Sequence, residues 1–414
     1  MQQTIIEDTT TIEDTTTNVS REWMSSLAMA CDWLVERAVI DTGDVCPNEN
    51  PFGYVYRCWK GAVREYDASD RRWHIYAPVW HTGQMIKALV MAADVLHDDK
   101  YIRAAGRSAE FLLGARITDA DDPDYGAVLS YEGDAYACNT SCALEALDGL
   151  IYLGDRTGEE RYWKAVLENL DWIARRMYIT GEGLFLDVFY PGRGEVAALE
   201  DTCRQGFPGR PLNDDSVFLK GWRKSGREKL RQIFFEVSER LLKEEKPAGN
   251  WINFPPCSSS AGRLHPRHAF WWGRSMVPAW KESGDERYLA CALRSADWYV
   301  GAMRRDGGFF RDTYTDFSTG SMNHATSGSL SGACLWHDLI QEGVGEAYIE
   351  PLKRALSYAR GMQFTTPADP DLKGAVLEKI MPHGGKDCLP YMVRDLATIF
   401  YVQALSAALK SGLI

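Results

Sequence analysis

The chain has 414 residues, 46 of them basic and 58 acidic, for a formal charge of −12. A composition that is 45% hydrophobic and 25% charged excludes disorder along the whole length. The acidic balance excludes the basic footprint of a nucleic-acid or anionic-membrane surface, while aromatics reach 12%, with 14 Trp.

Residues 4–17 nearly repeat themselves, as TIIEDTT and then TIEDTTT. This acidic, Thr-rich stretch predicts a disordered tail over 1–18, ahead of a single domain over 19–414. Neither a basic, apolar signal segment nor an uninterrupted apolar run of about 18 residues occurs, so a cytoplasmic protein without a membrane span is expected. The 10 cysteines include no CxxC pair, and Cys138 and Cys142 have no second pair to complete a zinc set. Reduced, mostly buried thiols and no metal or cofactor are expected.

A helical pattern then recurs with a period of about 60 residues. In Gly158-Glu-Glu-Arg-Tyr162-Trp and again in Gly284-Asp-Glu-Arg-Tyr288-Leu, an aromatic opens a helix and another follows ten residues later, at Trp172 and Trp298. Trp23/Trp33, Tyr101/Phe111 and Tyr348/Tyr358 share that spacing, and Leu230/Arg240 is a degenerate copy. Ten residues are about 2.8 helical turns, so both anchors lie near one face.

A more apolar helix precedes each of the later five, over roughly 81–96, 139–154, 213–224, 269–282 and 324–340. A last one, 391–411, lacks a following partner, and the first anchor helix, 20–38, lacks a preceding one. The two orphans pair if the chain closes into a ring. The expected fold is therefore all-α, an (α/α)6 toroid of six helical hairpins in one domain. Connections into the inner helices are long and rich in Gly, Pro and Asp, and all emerge at one end, which is where a site is expected.

The openings of the inner helices supply the candidate residues. In order they are Trp80-His81-Thr82-Gly83, Asp134…Asn139-Thr-Ser141, Asn213-Asp214-Asp215-Ser216, His268-Ala-Phe-Trp271-Trp272-Gly-Arg274, Asn323-His324 and Arg394-Asp395. Asn139, Asn213 and Asn323 suit N-caps. One carboxylate suffices for a cap, so the adjacent Asp214 and Asp215 point to general acid/base work, because burial and mutual repulsion can raise one pKa toward neutrality. His81, His268 and His324 are candidate donors to substrate. Trp271 and Trp272 point different ways on a helix, so no more than one faces the lumen, where it can stack on a sugar.

The order of these openings resembles that of the six-hairpin glycosidases, in particular the unsaturated glucuronyl and rhamnogalacturonyl hydrolases, over about residues 20–411. Trp80-His-Thr-Gly-Gln84, Asp215-Ser-Val-Phe-Leu219, Phe270-Trp-Trp-Gly-Arg-Ser-Met276 and Asn323-His-Ala-Thr-Ser-Gly328 carry the likeness. The resemblance implies that Asp215 protonates the double bond of an unsaturated uronic acid and activates water, with Asp214 assisting. Here the second inner helix opens on Asn139 rather than an acid, and Gly273-Arg274 inverts the family's Arg-Gly order, so a saturated uronide stays open. An ordinary glycosidase needs a second carboxylate, for which Asp134, Asp187 and Asp395 are candidates.

A second resemblance joins Pro266-Arg-His268-Ala-Phe-Trp271-Trp272 to the N-acylglucosamine 2-epimerases, with Phe270 where that family has Glu. It implies a proton moved at a sugar C2 by a histidine pair, His268 with His324 or His383. The working expectation is a glycoside hydrolase acting on an oligosaccharide that carries a uronic acid at its non-reducing end. Asp215 and Asp214 are its acid/base residues, and Trp80, His81, Asp134, Asn139, His268, Trp271, Trp272, Arg274, Asn323 and His324 contact substrate. The epimerase and a non-catalytic glycan-binding toroid are the alternatives.

Overall fold

The computed structural model describes residues 10–68, 70–130, 137–198, 202, 206–320, 324–380, 391–393 and 395–414. Twelve α-helices among them alternate between two layers. The inner layer is α2 (Pro78–Leu96), α4 (Thr140–Thr157), α6 (Val217–Ser225), α8 (Met276–Ser283), α10 (Thr326–Gln341) and α12 (Asp395–Lys410). The outer layer is α1 (Thr10–Trp33), α3 (Lys100–Gly114), α5 (Glu160–Arg176), α7 (Glu228–Glu244), α9 (Glu286–Ala302) and α11 (Ile349–Gly361).

The sequence of each helix decides its layer. In α2 every residue from Pro78 to Val90 is buried, so it can only be surrounded. By contrast, α5 buries Tyr162, Trp163, Val166, Leu170 and Trp172 on one stripe and turns Glu160, Arg161 and Lys164 outward. The paired anchors Trp23/Trp33, Tyr101/Phe111, Tyr162/Trp172, Tyr288/Trp298 and Tyr348/Tyr358 are all buried. Of the degenerate pair, Leu230 is buried and Arg240 forms ion pairs with Glu182 and Glu244 instead.

The ring closes as the two orphan helices require. Each inner helix packs on the outer helix that follows it, and α12 packs on α1, α2 and α10. Ser26 of α1 donates to Gln363 Oε1 at 2.5 Å and lies 2.8 Å from the Tyr401 hydroxyl of α12. The tightest inner contact is between α2 and α4. A Cβ on Gly83 would stand 2.4 Å from Ala146 Cα, and one on Gly149 would stand 2.1 Å from the Gly83 carbonyl oxygen, so only glycine permits this approach.

Short antiparallel strands tie down the connections at the N-terminal ends of the inner helices. Tyr66 stands opposite Trp73 on one side and Val393 on the other, and Cys138–Asn139 pairs with Val188 and Phe189 just before α4 begins. Two inner helices start later than their apolar patterns predict. The 3₁₀ turn Asp214–Ser216 precedes α6, and the π-helical turn Ala269–Gly273 precedes α8. Asp215 and Ser216 both adopt left-handed backbone, with φ of 48° and 54°, which α-helix cannot accommodate. Both irregular entries are at the candidate site.

Candidate active site

The consecutive left-handed residues send Asp214 and Asp215 to different depths. Asp214 accepts the Ser141 hydroxyl, from the first turn of α4, at 2.9 Å. Asp215 instead accepts from Gln84 Nε2 at 2.8 Å and from Lys87 Nζ at 2.7 Å, about 1.7 and 2.5 turns into α2. The doublet therefore contributes one carboxyl to an upper layer and one to a lower layer.

The upper layer is a carboxyl pair. Glu145, one turn below Ser141 on α4, reaches the same hydroxyl at 3.5 Å and accepts the Trp271 indole N–H at 3.0 Å. Both acids are buried, and Asp214 Oδ2 has no hydrogen-bond partner among the described residues. Burial pushes Asp214 up to about 7, with the Asp215 charge adding to it, against the Ser141 bond and the Arg210 charge. Burial first and the Asp214 charge second push Glu145 well above the carboxylate range. Burial thus raises both carboxyls, each against a neighbouring positive charge.

A cation stands over this layer. The Arg267 guanidinium carbon lies 5.6 Å from the centroid of the Trp80 ring and 5.3 Å from that of Trp271. It is 9% exposed, and its Nε is buried without a hydrogen-bond partner among the described residues. Both distances are within cation–π range, and a guanidinium held there is suited to bind an anion through its N–H groups.

In the lower layer every charge is engaged. Lys87 pairs with Asp148 at 2.8 Å and Asp215 at 2.7 Å, and Lys220 also bonds Asp148. Burial opposes the Lys87 charge, but Asp148 and Asp215 outweigh it and hold its pKa above the usual lysine value. Arg274 donates to Asp338 at 2.7 and 3.4 Å and approaches Asp215 at 3.9 Å. Arg274 thus serves the lower layer, and the guanidinium near Trp271 is that of Arg267.

The remaining candidates separate by what they touch. His81 is fully buried at the head of α2, with Nδ1 2.9 Å from Asp395 and 3.8 Å from Glu65, and Nε2 without a partner among the described residues. Its ring meets that of Trp80 edge-on at 4.0 Å. His268 lies between the layers, 4.7 and 4.8 Å from the rings of Trp298 and Tyr299 on α9, and burial lowers its pKa to about 3. Trp272 is fully buried, against Trp251 and Phe254, and Trp271 is the lumen-facing member of the doublet. His324 Nδ1 is 3.4 Å from the Tyr358 hydroxyl of α11.

Asn139 is the N-cap of α4, accepting from Cys142 N at 3.0 Å. Asn213 bonds outward, to Ser238 of α7 at 3.0 Å. Asp187 pairs with Arg210, and Asp395 with His81, so neither joins the carboxyl pair. Asp134, Asn323 and His383 lie outside the described residues.

No family model and no curated protein matches the chain. Solved structures do. An unsaturated glucuronyl hydrolase specific for heparin aligns with a TM-score of 0.65 and 14% identity, over 95% of this chain and 98% of its own. An unsaturated glucuronyl hydrolase from Bacillus sp. GL1 aligns with a TM-score of 0.64 and 13% identity, over 94% and 97%. A cellobiose 2-epimerase from Bacillus thermoamylovorans aligns with a TM-score of 0.65 and 11% identity, over 85% and 92%. The chain has the six-hairpin toroid fold. That fold is shared by hydrolases and an epimerase, so within a six-hairpin toroid the chemistry must be read from the side chains.

Three of the toroid's lumen residues escaped the sequence reading. Glu145 is a lone acid in Cys142-Ala-Leu-Glu-Ala-Leu147, and an acid inside an otherwise apolar inner helix is the signal that marks it. Lys87, in Met85-Ile-Lys-Ala-Leu89, carries the same signal. Arg267 sits in a connection of irregular backbone, where no periodicity points at the lumen.

Proposed function

We propose that the toroid is a glycoside hydrolase that removes a uronic acid from the non-reducing end of an oligosaccharide, with Asp214 and Glu145 as its acid/base pair. The single observation that carries this reading is the buried Asp214–Glu145 pair, joined through the Ser141 hydroxyl beside the Arg267 guanidinium, where burial pushes both carboxyls up from their ordinary range. A carboxylic acid that stays protonated near pH 7 can donate to a sugar, and its conjugate base can then take a proton from water.

Arg267 is assigned to the substrate carboxylate, and Trp271 to the sugar face, with its indole N–H holding Glu145 in place. Asp215 is assigned to positioning rather than proton transfer, because Lys87, Gln84 and Arg274 already occupy its oxygens. Ser141 orients Asp214. If the uronate is unsaturated, the proton goes to C4 of the ring double bond and water adds at C5. The hemiketal formed then opens and releases the neighbouring sugar. If it is saturated, the proton goes to the glycosidic oxygen. The epimerase alternative needs His268 as a proton carrier, and that ring is wedged between Trp298 and Tyr299 rather than in the lumen.

A product assay on uronide disaccharides tests the reading. Loss of the unsaturated-ring absorbance, or release of a saturated uronic acid, is expected from the wild type and not from Asp214→Asn. Wild-type turnover by Asp214→Asn, or entry of solvent deuterium at C2 of a free sugar, would overturn it.

A further inference from the structure

Apart from the carboxyl pair, three metal-ligating side chains converge at the head of α2. Glu65 opens the short strand Glu65–Asp67, His81 is in the first turn of α2, and Asp395 is the first residue of α12. All three are fully buried, and one donor atom from each lies within 4.8 Å of the others. His81 Nδ1 is 2.9 Å from Asp395 Oδ1 and 3.8 Å from Glu65 Oε1.

These are separations that two donors of a single ion adopt. Bonds of about 2.1 Å at a right angle put two donors about 3.0 Å apart, and a straight angle puts them about 4.2 Å apart. The Glu65–Asp395 separation, bounded by the same 4.8 Å, comes within that limit by a small turn of one carboxylate. The second Glu65 oxygen is held by His74, whose Nε2 is 3.1 Å from Oε2, so that Oε1 is presented to His81. An outer bond of this kind orients a metal-bound carboxylate. Two carboxylates taken out of water need compensating positive charge, and one divalent ion matches them. A nitrogen among the donors favours zinc over magnesium or calcium, which take oxygen alone.

We infer that Glu65, His81 and Asp395 bind a divalent transition-metal ion, with zinc the best match to the donor set. The ion ties the heads of α2 and α12 to the strand beside them, where Tyr66 already pairs with Val393, and so fastens the ring at its closure. Chain spacing gives no sign of the site, because only closure of the ring brings residues 65, 81 and 395 together. The inference is independent of the hydrolase reading, in which none of the three residues carries a step. Without an ion, the same cluster is a hydrogen-bonded one in which His81 Nδ1–H donates to Asp395, and the test separates the two.

Because the site is buried, the full chain is unfolded in guanidinium with a chelator and refolded with and without zinc chloride, with manganese chloride in parallel. Bound metal is then counted by mass spectrometry after desalting. Wild type refolded with zinc should keep about one ion per chain and melt several degrees above the ion-free protein. Glu65→Gln and Asp395→Asn should each keep less than half of that zinc, and their Tm should not respond to it. A wild type that retains neither ion, or zinc content and Tm response undiminished in both variants, overturns the site. If the variants fail to fold, X-ray absorption of the zinc-loaded wild type decides. Nitrogen and oxygen neighbours at about 2.0–2.2 Å are expected, and a sulfur neighbour at about 2.3 Å would place the ion on cysteine and overturn the assignment.

Discussion

Asp214 and Glu145 meet across a single hydroxyl: Ser141 Oγ is 2.9 Å from one carboxyl and 3.5 Å from the other. One O–H cannot satisfy two buried carboxylates, so a retained proton is the cheaper solution. The arrangement separates the two members of the Asp doublet chemically, because Asp215 spends its charge on Lys87.

Replacing Asp214 by Asn keeps shape and hydrogen bonding but removes the proton that is exchanged. Turnover should fall by about 10²–10⁴-fold, with KM little changed. Asp215→Asn should act mainly on stability, since it strips a buried partner from Lys87, and a loss of about 3 kcal/mol is expected. Paired thermal melts and initial rates of the two variants check the division of labour.

The raised pKa of Asp214 makes stability depend on pH in a definite direction. The folded protein holds this proton up to about pH 7, while the unfolded chain releases it near 3.8. The contribution is full below the unfolded value and is lost as pH rises through about 7, on the order of 4 kcal/mol in all. Denaturant midpoints between pH 4 and 8 should fall with rising pH, and Asp214→Asn should flatten that slope. Activity should also drop on the alkaline side as the pair loses its proton.

Arg267 is expected to select for the uronate. Arg267→Met should raise KM for an acidic disaccharide by roughly tenfold or more, and Arg267→Lys should recover only part of it, since an ammonium cannot offer a planar fork. The KM for the matching neutral disaccharide should be little changed by either, while kcat on both substrates shifts alike, because the Arg267 charge also lowers the Glu145 pKa. Equal rises in KM on the two substrates would remove Arg267 from carboxylate recognition.

Gly83→Ala should cost about 1–3 kcal/mol, because the new methyl meets Ala146 backbone that cannot step aside. The variant should melt earlier, and its activity should suffer too, because Gln84 and Lys87 on the same helix hold Asp215. Gly43→Ala, with open space around it, is the control.

The toroid was legible because its evidence repeats. Five aromatic-anchored pairs with one spacing specify the outer layer even though each pair alone is weak, and the unpaired first and last helices specify closure. The mouth was legible only as a set of chain positions. Periodicity assigns faces where backbone is regular, and at Asn213–Ser216 and Ala269–Gly273 it is not. Left-handed φ at Asp215 could not be foreseen from Asp-Asp-Ser, so the doublet's two depths were hidden. Arg274 drew attention by its place in a motif, whereas Arg267 is set by tertiary packing between two Trp rings. Glu145 could have been found, since an acid among Ala and Leu has few reasons to be buried.

The hydrogen bonds from Ser26 to Gln363 and Tyr401 join residues from opposite extremes of the chain. During synthesis α1 emerges before α12 with the other ten helices between them, so the apolar stripe of Trp23, Leu27 and Ala30 lacks that neighbour until the rest of the ring has been made. Closure is a late, long-range event of the slow and aggregation-exposed kind. The seam between α1 and α12 is therefore the latch of the ring, and a nascent chain stalled before α12 leaves both α1 and α2 without their flank.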